Sequence, residues 1–371
     1  MGNAGKISTV TVIGAGSGGF GLMTQLGVTG YRVRLHDVDE QRLTAIRERG
    51  GVEVENGARP FAPVELATSD LTTSLAGADL IIVVTGGNTH ADVARAMAPL
   101  LQDGQIVLLI QGNTGGALIV RQALQRAGCR ATIDVAEMDT YPYATARPAP
   151  SRARLVTQKR WLQIATFPGE RGAVVMERLR PLFPQAVLAP NILYTGLTNM
   201  NAVLHVANCV SNAGRIESGG DFKFYAEGVT PAVVNLYQAL DAERLAIAAR
   251  FGVTTPRLEE WIGRAYGVRE PLLPETFQRL TFDAQGPYQN TPTPTSLSHK
   301  YVTEDVPTGL MPIRALGVAG GVATPTLDAL IHLASVTAGR DFAAEARTID
   351  QLGLSGQDVA QIQTTVQHGF A

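Results

Sequence analysis

The chain is poor in the residues that would tie it to metal, redox or nucleic-acid chemistry. It has two cysteines in 371 residues, Cys129 and Cys209, and neither belongs to a metal or redox spacing. Both lie in apolar stretches, so reduced, buried thiols in a cytoplasmic protein are expected. The six histidines are scattered without ligand spacing, and no metal site is expected. Lysine is scarce: Lys6, Lys159, Lys223 and Lys300 stand against 27 arginines. An anionic ligand is therefore expected to meet a guanidinium, which binds carboxylates bidentately. A net charge of −2 and a pI near 6.3 leave no electrostatic footprint for nucleic acid or an anionic membrane. No basic recognition helix is visible, and no apolar run reaches transmembrane length. The opening MGNAGKISTVTVIGAG runs straight into a strand and lacks the apolar core and cleavage site of a signal peptide. Internal repeats and low-complexity tracts are missing as well.

What is there describes a globular protein with a sizeable core, 45% hydrophobic and 17% charged, long enough for one large or two ordinary domains. The run Val10-Thr-Val-Ile13 leads into Gly14-Ala-Gly-Ser-Gly-Gly19 and then a helix closed by Gly30. In this strand, turn, helix order the G-x-G-x-x-G frame is Gly14, Gly16 and Gly19. Gly14 allows the tight turn, Gly16 a close approach of backbone to pyrophosphate, and Gly19 the packing of helix on strand. Ala15, Ser17 and Gly18 complete the loop, and the free N–H groups of the helix face the phosphates. The next strand ends at Asp37, 21 residues after Gly16. An acid there hydrogen-bonds the adenosine ribose and repels a 2′-phosphate, so NAD is the expected cofactor; Asp39 acts in the same direction.

Residues 78–84 and 105–110 read as buried parallel strands. Each ends in a polar, glycine-rich loop at the edge where open α/β sheets bind ligands: Thr85 to His90, and Gln111-Gly-Asn-Thr-Gly-Gly116. Thr85 is expected at the cofactor, and Gln111, Asn113 and Thr114 near the nicotinamide. The polar segment Glu137 to Tyr143 follows, and Trp161 to Thr166 reads as a late strand.

From about Asn191 helical periods take over. The helix after Asn199 is apolar on most faces, yet Asn201, His205, Asn208 and Asn212 fall within an arc of roughly 60° on it. A polar stripe on a buried helix must be hydrogen-bonded or line a wet cavity, and a histidine within it is a candidate for proton transfer. A second helix is expected from Thr230 and Pro231 to Phe251, others within Arg257 to Tyr266, after Pro325, and from Ser355 as N-cap. Residues 286–297 and 303–312 read as irregular. Glu304 and Asp305 lie in the latter, and a carboxylate beside His205 would fix its tautomer. The expected fold class is α/β: a Rossmann-type doubly wound sheet over residues 1–188, followed by an all-α domain over residues 189–371.

Asn201-x3-His205 with Asn208 and Asn212, the run Phe222 to Pro231, and Asp241-Ala-Glu-Arg244 are similar to the helical domain of opine dehydrogenases, the octopine and nopaline dehydrogenase family. Tyr301 to Leu310 and Gly321-Val-Ala-Thr-Pro325 resemble later motifs of that family, so the resemblance covers nearly the whole chain. It implies a CH–NH oxidoreductase that reductively condenses an amino acid with a 2-oxo acid such as pyruvate, reversibly, on a nicotinamide cofactor. It also implies a His–Asp pair, which maps onto His205 and Asp305. Gln111, Asn113, Asn201 and Asn208 are candidates for the substrate wall. Arg314, Arg279, Arg269 and Arg147 are candidates for the two substrate carboxylates. The loop after Gln111 departs from the family in lacking a proline before its glycine.

An alternative on the same plan is a 2-hydroxy-acid or ketopantoate-type dehydrogenase acting on CH–OH; such relatives commonly carry a lysine on the equivalent helix, and this stripe has none. A nicotinamide-sensing regulator would not need a buried proton donor. The expected partners are small molecules, with no nucleic acid and no membrane. The sequence is compatible with a homodimer, and it does not name the amino acid.

Overall fold

The computed structural model describes residues 5–56, 59–267 and 289–370. The described strands are β1 (Thr9–Ile13), β2 (Arg32–His36), β3 (Gly51–Val54), β4 (Phe61–Pro63), β5 (Leu66–Thr68), β6 (Leu80–Val83), β7 (Ile106–Leu109), β8 (Asp134–Met138), β9 (Tyr143–Ala149), β10 (Arg152–Gln158), β11 (Leu162–Phe167) and β12 (Ala186–Leu188). Eight of them form one sheet in the order β12-β11-β8-β7-β6-β1-β2-β5. All neighbours run parallel except β8 and β11, which are antiparallel. The apolar runs of β6 and β7, and β1 with its two threonines, are buried at every residue. That burial is what a sheet covered by helices on both faces requires. The strand order reverses between β1 and β6, so the crevice at their carboxyl ends is the switch point where such sheets bind ligands.

A second sheet, β4-β3-β10-β9, was not expected. Along β9 and β10 most side chains are half-buried or exposed, and their pairing contains two register shifts. The period-two apolar alternation that reveals a strand is therefore blurred. The hairpin lies against the helix Ser17–Val28, where a Cβ on Gly21 would stand 2.4 Å from Thr145 Oγ1.

After Leu188 the regular elements of the described residues are helices, apart from one isolated bridge between Lys223 and Pro292. The helix Met200–Ser211 is central and buries nine residues. Around it pack the long helix Pro231–Arg250, the helix Pro325–Ala338 and the short turn Lys300–Thr303. Pro231 and Pro325 sit in the first turns of their helices, where the missing N–H costs nothing. Two expectations are corrected. Residues 303–312 are not irregular: a π-helical turn over Val306–Leu310 runs directly into the helix Met311–Gly320, with Pro307 tolerated at the start of that turn. Ser355 does not cap a helix; Asp358 does, accepting from Gln361 N in a capping box that opens Val359–His368. That last helix returns to pack on β11. Among the described residues no helix is long and apolar enough to cross a membrane.

Candidate active site

The turn after β1 has the shape of a dinucleotide cradle. Gly14 takes φ +106°, and a Cβ there would lie 2.7 Å from Val84 O; a Cβ on Gly19 would lie 1.8 Å from Gly14 O. Only glycine lets strand, turn and helix close on one another here. Gly16 by contrast faces open space, and the first turn of the helix it caps carries no acidic residue. Its N–H groups and positive dipole end stay available to an anion, so these residues fit a pyrophosphate. Asp37 is buried at the edge of the turn, with Oδ2 accepting from Ala15 N at 2.6 Å and Oδ1 from Asp39 N at 2.9 Å. Thr85 follows β6 with its methyl group against Gly14, and Thr89 donates to its hydroxyl at 2.8 Å.

A cavity of about 270 Å³ adjoins this cradle. The ring of Tyr141 joins the two, lining the cavity and lying where a Cβ of Gly18 would collide with it. On the opposite wall, His205 Nδ1 stands 2.7 Å from Asp305 Oδ2, with both side chains about nine-tenths buried. The carboxylate accepts from Nδ1–H, which leaves Nε2 for the cavity. Tyr301 stacks on the imidazole, centroids 3.8 Å apart and planes inclined by 21°. Burial, with Asp305 nearby, pushes the Tyr301 hydroxyl up to about 12, so it is a neutral partner for the ring.

The remaining wall is a polar seam between the sheet edge and the helices. Asn201 Nδ2 donates to Gln111 Oε1, and Gln111 Nε2 to Asn199 Oδ1, both at 2.9 Å. Asn113, held at φ 55°, donates to Glu304 Oε1 at 3.1 Å and to Thr308 Oγ1 at 2.9 Å. Glu304 Oε1 also accepts from Gly87 N. Thr114 donates to Gly196 O. Behind the seam, the fully buried Arg347 donates to the carbonyl oxygens of Gly112, Thr114 and Gly87 and to His90 Nδ1. Burial first, and then the Arg347 charge, hold His90 well below its ordinary range, so it is neutral and can accept. Glu137, wholly buried, accepts from Ala117 N at 2.8 Å and Thr195 Oγ1 at 2.6 Å, and burial pushes its carboxyl up to about 7. Asp139 accepts from Gln163 N and Trp261 Nε1, and burial raises it to about 6.

Thus Gln111, Asn113, Asn201, His205 and Asp305 line one cavity. Asn208 does not: it is fully buried, donates to Phe224 O at 2.7 Å and accepts from Asn212 Nδ2 at 2.9 Å. Asn212 also donates to Gly228 O, so the lower half of the stripe pins the loop 224–228. Arg314 is exposed on the helix Met311–Gly320, paired with Asp328 and away from the cavity. Arg147 lies over the Phe20 ring at 4.3 Å and reaches Ala15 O, beside the glycine turn. Arg269 and Arg279 lie outside the described residues. Sequence reasoning missed Lys159 and Lys300, which are the lysines on the cavity wall, together with Tyr301 and Arg347. Lysine scarcity was itself the available signal, since two of four lysines meet at one site; nothing local marked Arg347.

A glycine-turn sheet, a cleft at its carboxyl edge and a buried His–Asp pair on a following helical domain define a nicotinamide-dependent oxidoreductase. The family model described as NAD/NADP octopine/nopaline dehydrogenase, alpha-helical domain, matches residues 188–338. The ketopantoate reductase PanE/ApbA model matches residues 10–148. The opine dehydrogenase of Arthrobacter sp. (strain 1C) is 35% identical over 360 residues, covering 97% of this chain and 99% of the relative. The octopine dehydrogenase of Pecten maximus is 21% identical over 349 residues, covering 88% and 84%. The structure of an octopine dehydrogenase with NADH and L-arginine superposes with a TM-score of 0.76 at 19% identity, covering 98% of this chain and all of that one. The chain belongs to the opine dehydrogenase family. Its reaction class is the nicotinamide-dependent reductive condensation of an amino acid with a 2-oxo acid.

Proposed function

We propose that His205 and Asp305 carry out the proton transfers of this condensation, in the cytoplasm, with NADH as reductant and pyruvate or a similar 2-oxo acid as the carbonyl substrate. The observation that carries the reading is the 2.7 Å contact between His205 and Asp305 on the wall of the cavity that adjoins the glycine turn. The amine adds to the carbonyl carbon, and His205 Nε2 moves protons between nitrogen and oxygen of the carbinolamine so that its oxygen leaves as water. Asp305 holds the ring in the orientation this requires and stabilises the imidazolium when Nε2 is protonated. Tyr301 covers one face of the imidazole and limits its contact with water. Gly14 to Gly19 would hold NADH, with Asp37 toward its ribose, and the bound dinucleotide would supply the hydride for the C=N bond. Gln111 and Asn201 offer amide groups at the same wall for the substrate oxygens. Two unpaired thiols, Cys129 and Cys209, suit the reducing compartment.

The test is NADH oxidation over a grid of amino acids crossed with 2-oxo acids. Oxidation that needs both substrates is expected. Turnover of a 2-oxo acid with no amine present overturns the CH–NH reading in favour of a hydroxy-acid dehydrogenase. In the same assay His205→Ala is expected to lower kcat by about 10²–10⁴ while NADH binding stays intact. Wild-type turnover in that variant removes His205 from the mechanism.

A further inference from the structure

Glu304 immediately precedes Asp305 and lines the same cavity. It is half-buried and is fastened from the sheet side. Its Oε1 accepts from Gly87 N at 2.9 Å and from Asn113 Nδ2 at 3.1 Å, so both bonds fall on one oxygen. Gly87 follows β6 and Asn113 follows β7, the two strands next to β1 on the far side of the switch point. Oε2 lies near Gly86, where a Cβ would stand 3.5 Å from it. Burial first, and then the charges of Glu304 and Asp305, push the Tyr141 hydroxyl above its ordinary range. Tyr141 is the ring that joins cradle to cavity, so the field of Glu304 reaches the passage between them. Arg347 also senses this charge, but it is absent from the cavity wall and donates to three carbonyl oxygens and His90.

A dinucleotide with its pyrophosphate on Gly14 to Gly19 must extend its nicotinamide along this edge to come within reach of His205. Loss of a hydride to the C=N carbon leaves the nicotinamide ring with a positive charge. We propose that Glu304 is the carboxylate that offsets this charge, so that it favours the bound oxidised cofactor over the reduced one and draws hydride transfer toward condensation. Asp305 is engaged with His205, whereas Glu304 holds only neutral N–H groups among the described residues. The inference rests on the cofactor placement proposed above and goes beyond it.

The experiment measures the dissociation constants of NADH, by fluorescence titration, and of NAD+, by competition, for the intact protein without substrates. Wild type is compared with Glu304→Gln and Glu304→Asp. E304Q removes one charge and still offers an oxygen to Gly87 N and Asn113, so the comparison holds whatever other charges face the cavity. The ratio of the NAD+ to the NADH dissociation constant is expected to rise about tenfold in E304Q, through weaker NAD+ binding. It is expected to stay near wild type in E304D, which keeps the charge. A second neutral variant, Glu304→Ala, is expected to show the raised ratio as well. In thermal unfolding, NAD+ should protect E304Q less than it protects wild type, while protection by NADH holds. An unchanged ratio in the neutral variants, or a loss shared equally by the two cofactors, overturns the inference alone. A wild type that binds neither dinucleotide overturns the cofactor placement and this inference with it.

Discussion

At the scale of single residues, Asp37 does two things at once. Its carboxylate fastens Ala15 N of the glycine turn and leaves the turn's edge negatively charged, with Arg42 3.4 Å away. Asp37→Ala is expected to weaken selection of NADH over NADPH, read as the ratio of their kcat/KM values; an unchanged ratio would reject the ribose role. Asp37 and the glycines were legible in the sequence because the motif is local: turn, helix, strand and acid lie within the first 37 residues. His205 was legible because a 3.6-residue period exposes a polar stripe on an apolar helix. Its partner was not. Asp305 is 100 residues away: the sequence offered Glu304 and Asp305 together, and the resemblance to a family singled out the second. Arginine was expected at the substrate carboxylates from its abundance and from four arginines in or beside irregular segments; among the described residues the cations on the cavity wall are Lys159 and Lys300.

At the scale of elements, the helix Met200–Ser211 splits its polar stripe by function. Asn201 and His205 look into the cavity, and Asn208 with Asn212 ties down the loop that carries Phe224 and Gly228. Asn208→Ala leaves the Phe224 carbonyl without its donor and is expected to cost about 1–3 kcal/mol in denaturant unfolding. Substrate KM values should stay close to wild type. A tenfold rise in KM at unchanged stability would return Asn208 to the substrate wall. Periodicity revealed this helix but could not assign its lower half, since a stripe looks the same whether it faces a ligand or a loop. The hairpin β9–β10 escaped for the opposite reason. Its strands bury too little and shift register too often to leave a pattern, yet they carry the chain to Lys159.

At the scale of the whole molecule, the two halves share one apolar core, and buried polar groups are set into it. Glu137 on β8 bridges Ala117 N, in the sheet domain, to Thr195 in the first helix after it. Folded, this carboxyl keeps its proton up to about pH 7, against an ordinary 4.5 in the unfolded chain. Between those values the folded state binds more protons, so the wild type loses stability as pH rises through that window. Glu137→Gln cannot titrate, and its amide can still accept from Ala117 and donate to Thr195. Its stability relative to wild type is expected to grow from pH 5 to pH 8 and then level off, by on the order of 1–3 kcal/mol. Parallel urea curves at the two pH values would exclude this role.

Arg347 gives the architecture a temporal order. The carbonyl oxygens of Gly87, Gly112 and Thr114 lie at the edge where the cofactor cleft opens, and one guanidinium donated from position 347 satisfies all three. On a ribosome the sheet strands emerge before the residue that supplies those donors. The donor for that edge is therefore made after every strand of the sheet, so the cofactor platform precedes the completed reaction chamber in order of synthesis.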